Sequence, residues 1–380
     1  MKIWGMSMPT AMAVGIYMGV NVLFLLKYGG RVGTGCALAL CVGYVVVLHV
    51  VYHKWVERIC RLPRWVVTGC VAALVGLLAV QLAINPYQVQ VDRWSAIHNF
   101  LSYLLQGQYP YAAQTHLGGY GSPFPVWQLF HLPFYAVGNV GLSLFVCLVA
   151  YLHSLYKWQG RRVMASAGLL LVLSPALWYE GAVRSDLMAN FLLVAALIQY
   201  LIYYKVILDR HLVTIAVGCG LLLSTRLSVA VPLFIYFFGS YRQLKWSKKL
   251  CFPLLVMVVF GLTFLPFLLW SDQLLSFEYN PFVLQTRQGH IMDALLLMVT
   301  LIVAGGIVKH ADRRYFITTG LVLAGAVALV FGHNMLLRDD FTTIFSSLYD
   351  ITYFDMSLPF IITAMSLPGT MTSTPTNRGH

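Results

Sequence analysis

Charge is what this sequence has least of. Only 10% of its 380 residues are Asp, Glu, Lys or Arg, and only 13 are acidic, whereas soluble domains carry about a quarter charged residues. Such a chain cannot clothe a water-facing surface of its own size, which excludes an ordinary soluble globular protein. Its seven cysteines form no CxxC pair. Cys36, Cys41, Cys70, Cys147, Cys219 and Cys251 fall in or beside apolar runs and Cys60 in a basic stretch, so no disulfide framework is expected. There is no HExxH, no Asp-x-Asp triplet, and no GxSxG, Walker A or Rossmann glycine pattern in a suitable context. Zinc protease, nucleotide-sugar metal site, serine hydrolase, ATPase and dinucleotide readings therefore have no support. Internal repeats, low-complexity tracts and a soluble domain are missing as well.

What is present is apolar. Hydrophobic residues make up 59% of the chain and the mean hydropathy is +0.76. Runs of roughly 17 to 25 apolar residues recur, the length that crosses a bilayer as helix. The runs are continuous rather than alternating, which favours helices over a barrel. The expected fold is an all-α polytopic membrane protein with about twelve transmembrane helices, near 8–26, 34–53, 65–85, 139–156, 163–180, 187–206, 212–225, 228–240, 250–270, 290–308, 315–332 and 351–367. Residues 1–367 then form one transmembrane domain, and the Ser, Thr, Pro and Gly rich tail 368–380 is expected to be disordered. Lys27 and Arg31 follow the first apolar run without a small-residue cleavage pattern, so that run is read as a mature helix.

The net charge of +12 has a distribution that explains it. With the N-terminus inside, the cytoplasmic segments collect Arg58, Arg61, Arg64, Arg161, Arg162, Lys248, Lys249, Arg313, Arg314 and several further Lys and Arg residues. That asymmetry sets topology and contact with anionic membrane lipids, and no nucleic-acid partner is needed. Ten of the 13 acids fall on the other face: Asp92, Glu180, Asp186, Asp272, Glu278, Asp293, Asp339, Asp340, Asp350 and Asp355. Acids contribute little to topology, so the extracytoplasmic face reads as the chemically equipped one.

The longest polar and aromatic interruption, Asn85–Val137, belongs to that face. It is read as an extracytoplasmic loop with interfacial helices over residues 86–138. Asp92 opens an amphipathic run in which Trp94, Ile97, Leu101, Leu104 and Leu105 recur at helical spacing, as in a helix lying along the membrane surface. Asp92 reads equally as a helix N-cap and as a general base that takes a proton from an attacking hydroxyl. Tyr109, Tyr111, Tyr120, Phe124 and Trp127 read either as an interfacial aromatic belt or as a sugar-stacking platform. His98, His116, His131, His290 and His333 map to the same side with no zinc spacing, which favours structural or sugar-contacting roles, and no metal is expected.

Two arginines stand out. Arg226 lies between apolar runs of only about 13 residues, or roughly 20 Å of helix each, with Ser224, Thr225 and Ser228 beside it. An arginine at the tip of so short a hairpin suits the phosphate of a lipid carrier; snorkelling or an ion pair with a loop acid is the plainer reading. Arg184 sits in a short turn with Glu180 and Asp186, where phosphate or sugar binding competes with a local ion pair. For Asp186 a cap or ion pair is the favoured reading.

Gly107-Gln-Tyr-Pro-Tyr111 followed by Ser122-Pro-Phe-Pro-Val-Trp127, behind an acid in the first large loop, resembles the GT-C superfamily of integral-membrane glycosyltransferases. The nearest likeness is to bacterial mannosyltransferase-like members that use polyprenyl-phosphate sugars. The similarity runs from about Gln88 to Arg242 and includes Arg184-Ser-Asp and Ser224-Thr-Arg. Beyond that it rests on helix number. Asp92-Arg93 stands where many members carry two acids, and two helices precede the one entering the loop where one is usual.

The resemblance implies an inverting hexose transfer from a polyprenyl-phosphate donor to an extracytoplasmic glycan or lipid-linked acceptor, at a bacterial inner membrane and without a cofactor. Asp92 would be the base. Arg226 and Arg184 would hold the donor phosphate, and Tyr109, Tyr111, His116, Trp127, Asp186 and Glu180 would contact sugar or acceptor. The rival expectations are a transporter or flippase of a lipid-linked or anionic solute and a lipid-linked glycan polymerase or ligase.

Overall fold

A computed structural model describes residues 2–3, 6–31, 33–53, 64–275, 278–308, 312–338 and 349–368. The basic stretch around Arg58 and Arg61, Asp339, Asp340 and nearly all of the expected disordered tail lie outside the described residues. Apart from a two-residue antiparallel pair, Lys2–Ile3 with Met6–Ser7, and an isolated antiparallel bridge between Gln114 and Tyr120, the described secondary structure is helical. Its α-helices are α1 (Met8–Gly29), α2 (Thr34–Val51), α3 (Arg64–Ala83), α4 (Arg93–Leu105), α5 (Pro125–Phe130), α6 (Leu132–Ala136), α7 (Ser143–Gln159), α8 (Arg161–Val172), α9 (Pro175–Ala182), α10 (Leu187–Tyr203), α11 (Leu212–Leu223), α12 (Ala230–Arg242), α13 (Trp246–Trp270), α14 (Pro281–Thr286), α15 (Ile291–Ile307), α16 (Arg313–Arg338) and α17 (Leu358–Ser366).

Each of the twelve expected segments contains helix, but they are unequal. Among the described residues, six helices are long and apolar enough to cross a membrane: α1, α2, α3, the Val140–Gln159 helix, α13 and α16. The expected span at 163–180 is broken into α8 and α9, bent by 69°. Proline explains the break: Ser174 is forced into extended backbone (φ −86°, ψ 109°) before Pro175, which takes the first position of α9. Asn21 of α1 caps the opening, its Oδ1 accepting from Ser174 Oγ at 2.6 Å and from the Ala176 amide at 3.2 Å. Helices α10, α11 and α15 and the Leu227–Arg242 helix have only 12 to 17 residues, ~18 to 26 Å, short of the ~30 Å hydrocarbon core. Segment 351–367 is a 3-10 turn, Ile351–Ser357, leading into the nine residues of α17.

The core runs through α7, α8, α10, α16 and α17. Every residue of α17 is buried, and its Thr363 joins Tyr151 of α7 and Gln199 of α10 through side-chain hydrogen bonds of 2.7 and 3.0 Å. Helices α2, α3 and α13 leave long apolar side chains outside, among them Leu38, Val42, Val71, Leu254, Leu262 and Leu269. In lipid this costs nothing, because the tails are as apolar as the side chains.

Helices α11 and α13 approach closely because Gly220 lacks a side chain. A Cβ there would lie 2.8 Å from the Val256 carbonyl oxygen and 2.7 Å from Val259 Cβ. The Gly220→Ala substitution is expected to destabilise the protein by about 1–3 kcal/mol, the usual cost of overpacking, read as a lower Tm in detergent. An unchanged Tm would mean that α11 and α13 are not held this close.

The Asn85–Val137 stretch folds onto the bundle rather than standing off from it. The Phe124 and Val126 amides donate to the carbonyls of Thr225 and Ser224 at 3.2 and 3.0 Å. Gln285 of α14 bridges the two segments, donating to Ser122 O at 2.7 Å and accepting from the Leu227 amide at 2.8 Å. The expected amphipathic helix is α4; it buries Trp94, Ile97, Phe100 and Leu101, while Leu105 remains exposed.

Candidate functional site

Asp92 stands at the N-cap position of α4, yet its side chain makes no cap hydrogen bond. Its Oδ2 instead accepts from Thr115 Oγ1 at 2.9 Å, and Thr115 Oγ1 accepts from the Gly119 amide at 3.0 Å. A Cβ on Gly119 would lie 3.1 Å from Asp92 Oδ2, so glycine permits this approach. The carboxylate is part-exposed. His116 lies alongside, its Nδ1 2.7 Å from Ser95 Oγ and its Nε2 3.0 Å from Val89 O.

The next residue has other partners. The Arg93 side chain is only 11% exposed and pairs with Asp350 at 2.6 Å, with its guanidinium 5.0 Å from the Tyr353 ring. It leads into a cluster that holds Glu180, Asp186 and Asp355, all buried. Arg226 pairs with Asp186 at 2.5 Å, the two side chains 5% and 2% exposed, and the Trp127 indole N–H donates to the same Asp186 Oδ2 at 2.6 Å. Glu180 Oε2 accepts from the Met188 amide at 2.9 Å, and its carboxyl lies against that of Asp355. Asp186 Oδ1, Arg226 Nε and Asn190 Nδ2 are buried with no protein partner. Each unpaired buried polar atom costs about 1–3 kcal/mol, so this cluster is held at an energetic cost that the surrounding packing offsets.

Burial alone would raise the Asp186 carboxyl, but the Arg226 and Arg93 guanidiniums outweigh it and hold the group below its ordinary value. A depressed folded value contributes stability that is fully present above the unfolded value of about 3.9 and is lost as pH falls through the folded one. The Asp186 contribution to Tm in detergent is therefore expected to be constant above about pH 4 and to be lost below it, read as a shallower acid fall in Asp186→Asn than in wild type. Equal slopes for the two proteins would remove Asp186 from the acid response.

The other expected site residues are distributed unevenly. Arg184 adopts a left-handed backbone, φ 55°, and its Nη2 donates to Gln81 O at 2.9 Å and Ile84 O at 3.3 Å. It thereby caps the C-terminal end of α3, whose last carbonyls have no helical partner. Tyr111 and Trp127 are 1% and 0% exposed. Tyr111 packs against Phe100 and Phe267, and Trp127 stacks on Phe130, so neither offers a ring face to a sugar in this conformation. Tyr109 is part-buried beside Trp270.

Three features have no counterpart in the sequence reading. By sequence Arg93 is only the neighbour of Asp92, and Asp350 and Asp355 are only members of an acid-rich face. A groove of about 390 Å³ runs between α1 and the α8–α9 bend, lined by Phe24, Tyr28, Leu173, Trp178 and Tyr179 among others; the Tyr28 and Tyr179 rings stack at 4.0 Å at its edge. His290, Asp293 and His333 come together, their ligand atoms all within 4.8 Å of one another, although 40 residues separate Asp293 from His333. No local motif signals a meeting of this kind. No family model, no curated protein and no solved structure matches the chain.

Proposed function

We propose that the protein is a membrane glycosyltransferase that moves a hexose from a polyprenyl-phosphate donor to a glycan or lipid-linked acceptor, with inversion, on the extracytoplasmic face of a bacterial inner membrane. The observation that carries this reading is the pairing of an open acid with a sunken charge cluster. Asp92 is part-exposed and held by Thr115, while the adjacent Arg93 and the hairpin residue Arg226 both act on Asp186. In this reading the acceptor hydroxyl loses its proton to Asp92 as its oxygen bonds to the anomeric carbon, and the bond from that carbon to the polyprenyl phosphate breaks. Arg226 stabilises the departing phosphate by exchanging its Asp186 partner for it. Arg184, committed to the end of α3, is a positioning residue for the Glu180–Asp186 turn.

The groove beside the α8–α9 bend supports the same reading, because its apolar lining suits a prenyl chain and Tyr179 at its edge precedes Glu180. His116 is the residue left to meet sugar or acceptor near Asp92. Twelve crossings belong to the proposal too: the short helices count as spans where the bundle, rather than lipid, covers their ends. The test is transfer from a labelled polyprenyl-phosphate hexose by purified protein in nanodiscs, with released polyprenyl phosphate measured by mass spectrometry. No release with any acceptor fraction from the native membrane sinks the proposal.

A transporter is the second reading, and a specific observation favours it. The broken α8–α9 pair carries Glu180 in its last turn, whose buried carboxyl lies beside the buried Asp355, and broken helices beside buried acids are features of ion-coupled carriers. Proteoliposome uptake of a lipid-linked or anionic solute without release of polyprenyl phosphate selects this reading instead.

A further inference from the structure

We propose that His290, Asp293 and His333 form a transition-metal site that takes Zn2+ and ties the first turn of α15 to the C-terminal part of α16. The three residues each direct one ligand atom into a space where all such atoms lie within 4.8 Å of one another. His333 Nδ1 is already 2.9 Å from Asp293 Oδ1, and the two imidazole rings are 4.5 Å apart. Zinc bonds of 2.0–2.2 Å in tetrahedral array separate neighbouring ligand atoms by about 3.3 Å. The closest pair has only to open slightly and the widest to contract. His290 is exposed, and its ring makes that adjustment by giving up its contacts with the Asp293 amide and Asn334.

The supporting contacts are those a ligating set needs. Asp293 is 5% exposed, and its Oδ2 accepts from the His290 amide at 3.0 Å, which holds the carboxylate and leaves Oδ1 facing His333. Asn334 is anchored through Nδ2 to Gln288 O and Val330 O, both at 2.8 Å. Its Oδ1 lies 3.4 Å from His290 Nε2, a polar partner beside the ligand shell of the kind that orients a ligating imidazole. Two imidazoles and one carboxylate suit Zn2+ and exclude a preference for Mg2+ or Ca2+, which take oxygen sets. One coordination position stays open to water.

The test uses full-length, tag-free protein in nanodiscs, stripped with chelator and titrated with Zn2+, Mn2+ or Mg2+ under equilibrium dialysis. Wild type is expected to bind one Zn2+ per chain, with a saturable rise in Tm and no competition from Mg2+. His290→Ala and His333→Ala are expected to lose stoichiometric binding and the Tm response. Asn334→Ala should bind about tenfold more weakly. His290 is exposed, so its variant remains folded and informative. Absence of Zn2+ binding in wild type, stoichiometric binding retained in both histidine variants, or a preference for Mg2+ each overturns the proposal.

Discussion

Asp186→Ala is expected to destabilise the protein by about 3–5 kcal/mol, the usual cost of removing one partner from a buried ion pair. Desolvation sets the size of the effect. Arg226 and Asp186 expose only 5% and 2% of their side chains, so truncating the carboxylate leaves a guanidinium with neither water nor counter-charge. The Trp127 indole, which donates to the same oxygen, loses its acceptor at the same time. Unfolding in mixed micelles is the measurement, with Asp186→Leu/Arg226→Met as the companion. Replacing both charges with apolar groups is often neutral or stabilising, so the double variant should recover most of the loss. If Asp186→Ala stays within about 1 kcal/mol of wild type, an average single substitution, the pair is solvated and the dry cluster described above does not exist. The double variant serves function as well: recovered stability without transfer would mark Arg226 as a participant rather than a strut.

The second large effect concerns rate. Asp92→Asn is expected to lower transfer about 10²- to 10⁴-fold, the range that a positioned general base supplies, with little change in Tm. Asparagine keeps an acceptor for Thr115 and has almost the same shape, so the fold around α4 survives. The pairing of outcomes matters because the plain alternative for Asp92 is a helix cap, whose removal costs roughly 1 kcal/mol of stability and no activity. The absence of a side-chain cap bond from Asp92 already argues against that alternative. Turnover within a few fold of wild type would take Asp92 out of the mechanism, whereas retained donor binding with lost transfer is the result the proposal requires.

The candidate site was only partly legible in the sequence, and the residues show why. Asp92 and Arg226 were visible as isolated charges in apolar or aromatic surroundings, a one-dimensional signal. That Arg226 would find Asp186, 40 residues earlier, was legible only as one of several possible ion pairs, because the hairpin tip and the α9–α10 turn meet through tertiary packing. Trp127 and Tyr111 read either as an interfacial belt or as a sugar platform, because aromatic residues beside prolines and glycines have the same composition whether they face water or core. Arg184 looked like an anion binder, but it caps α3 from 103 residues away, a role that composition does not signal. The break at Ser174-Pro175 was written in the proline; its 69° bend was not, since that angle depends on how Asn21 and the neighbouring helices receive the two halves.

By itself the sequence determined the helical class, the membrane environment and the places where charge interrupts hydropathy. All three depend on local composition and on the length of apolar runs, which lipid reads residue by residue. Tertiary structure alone decided which charges meet. Arg93 with Asp350, Arg226 with Asp186, and His333 with Asp293 are separated along the chain by distances that no periodicity encodes. They are brought together because a buried charge is costly until the fold supplies its partner.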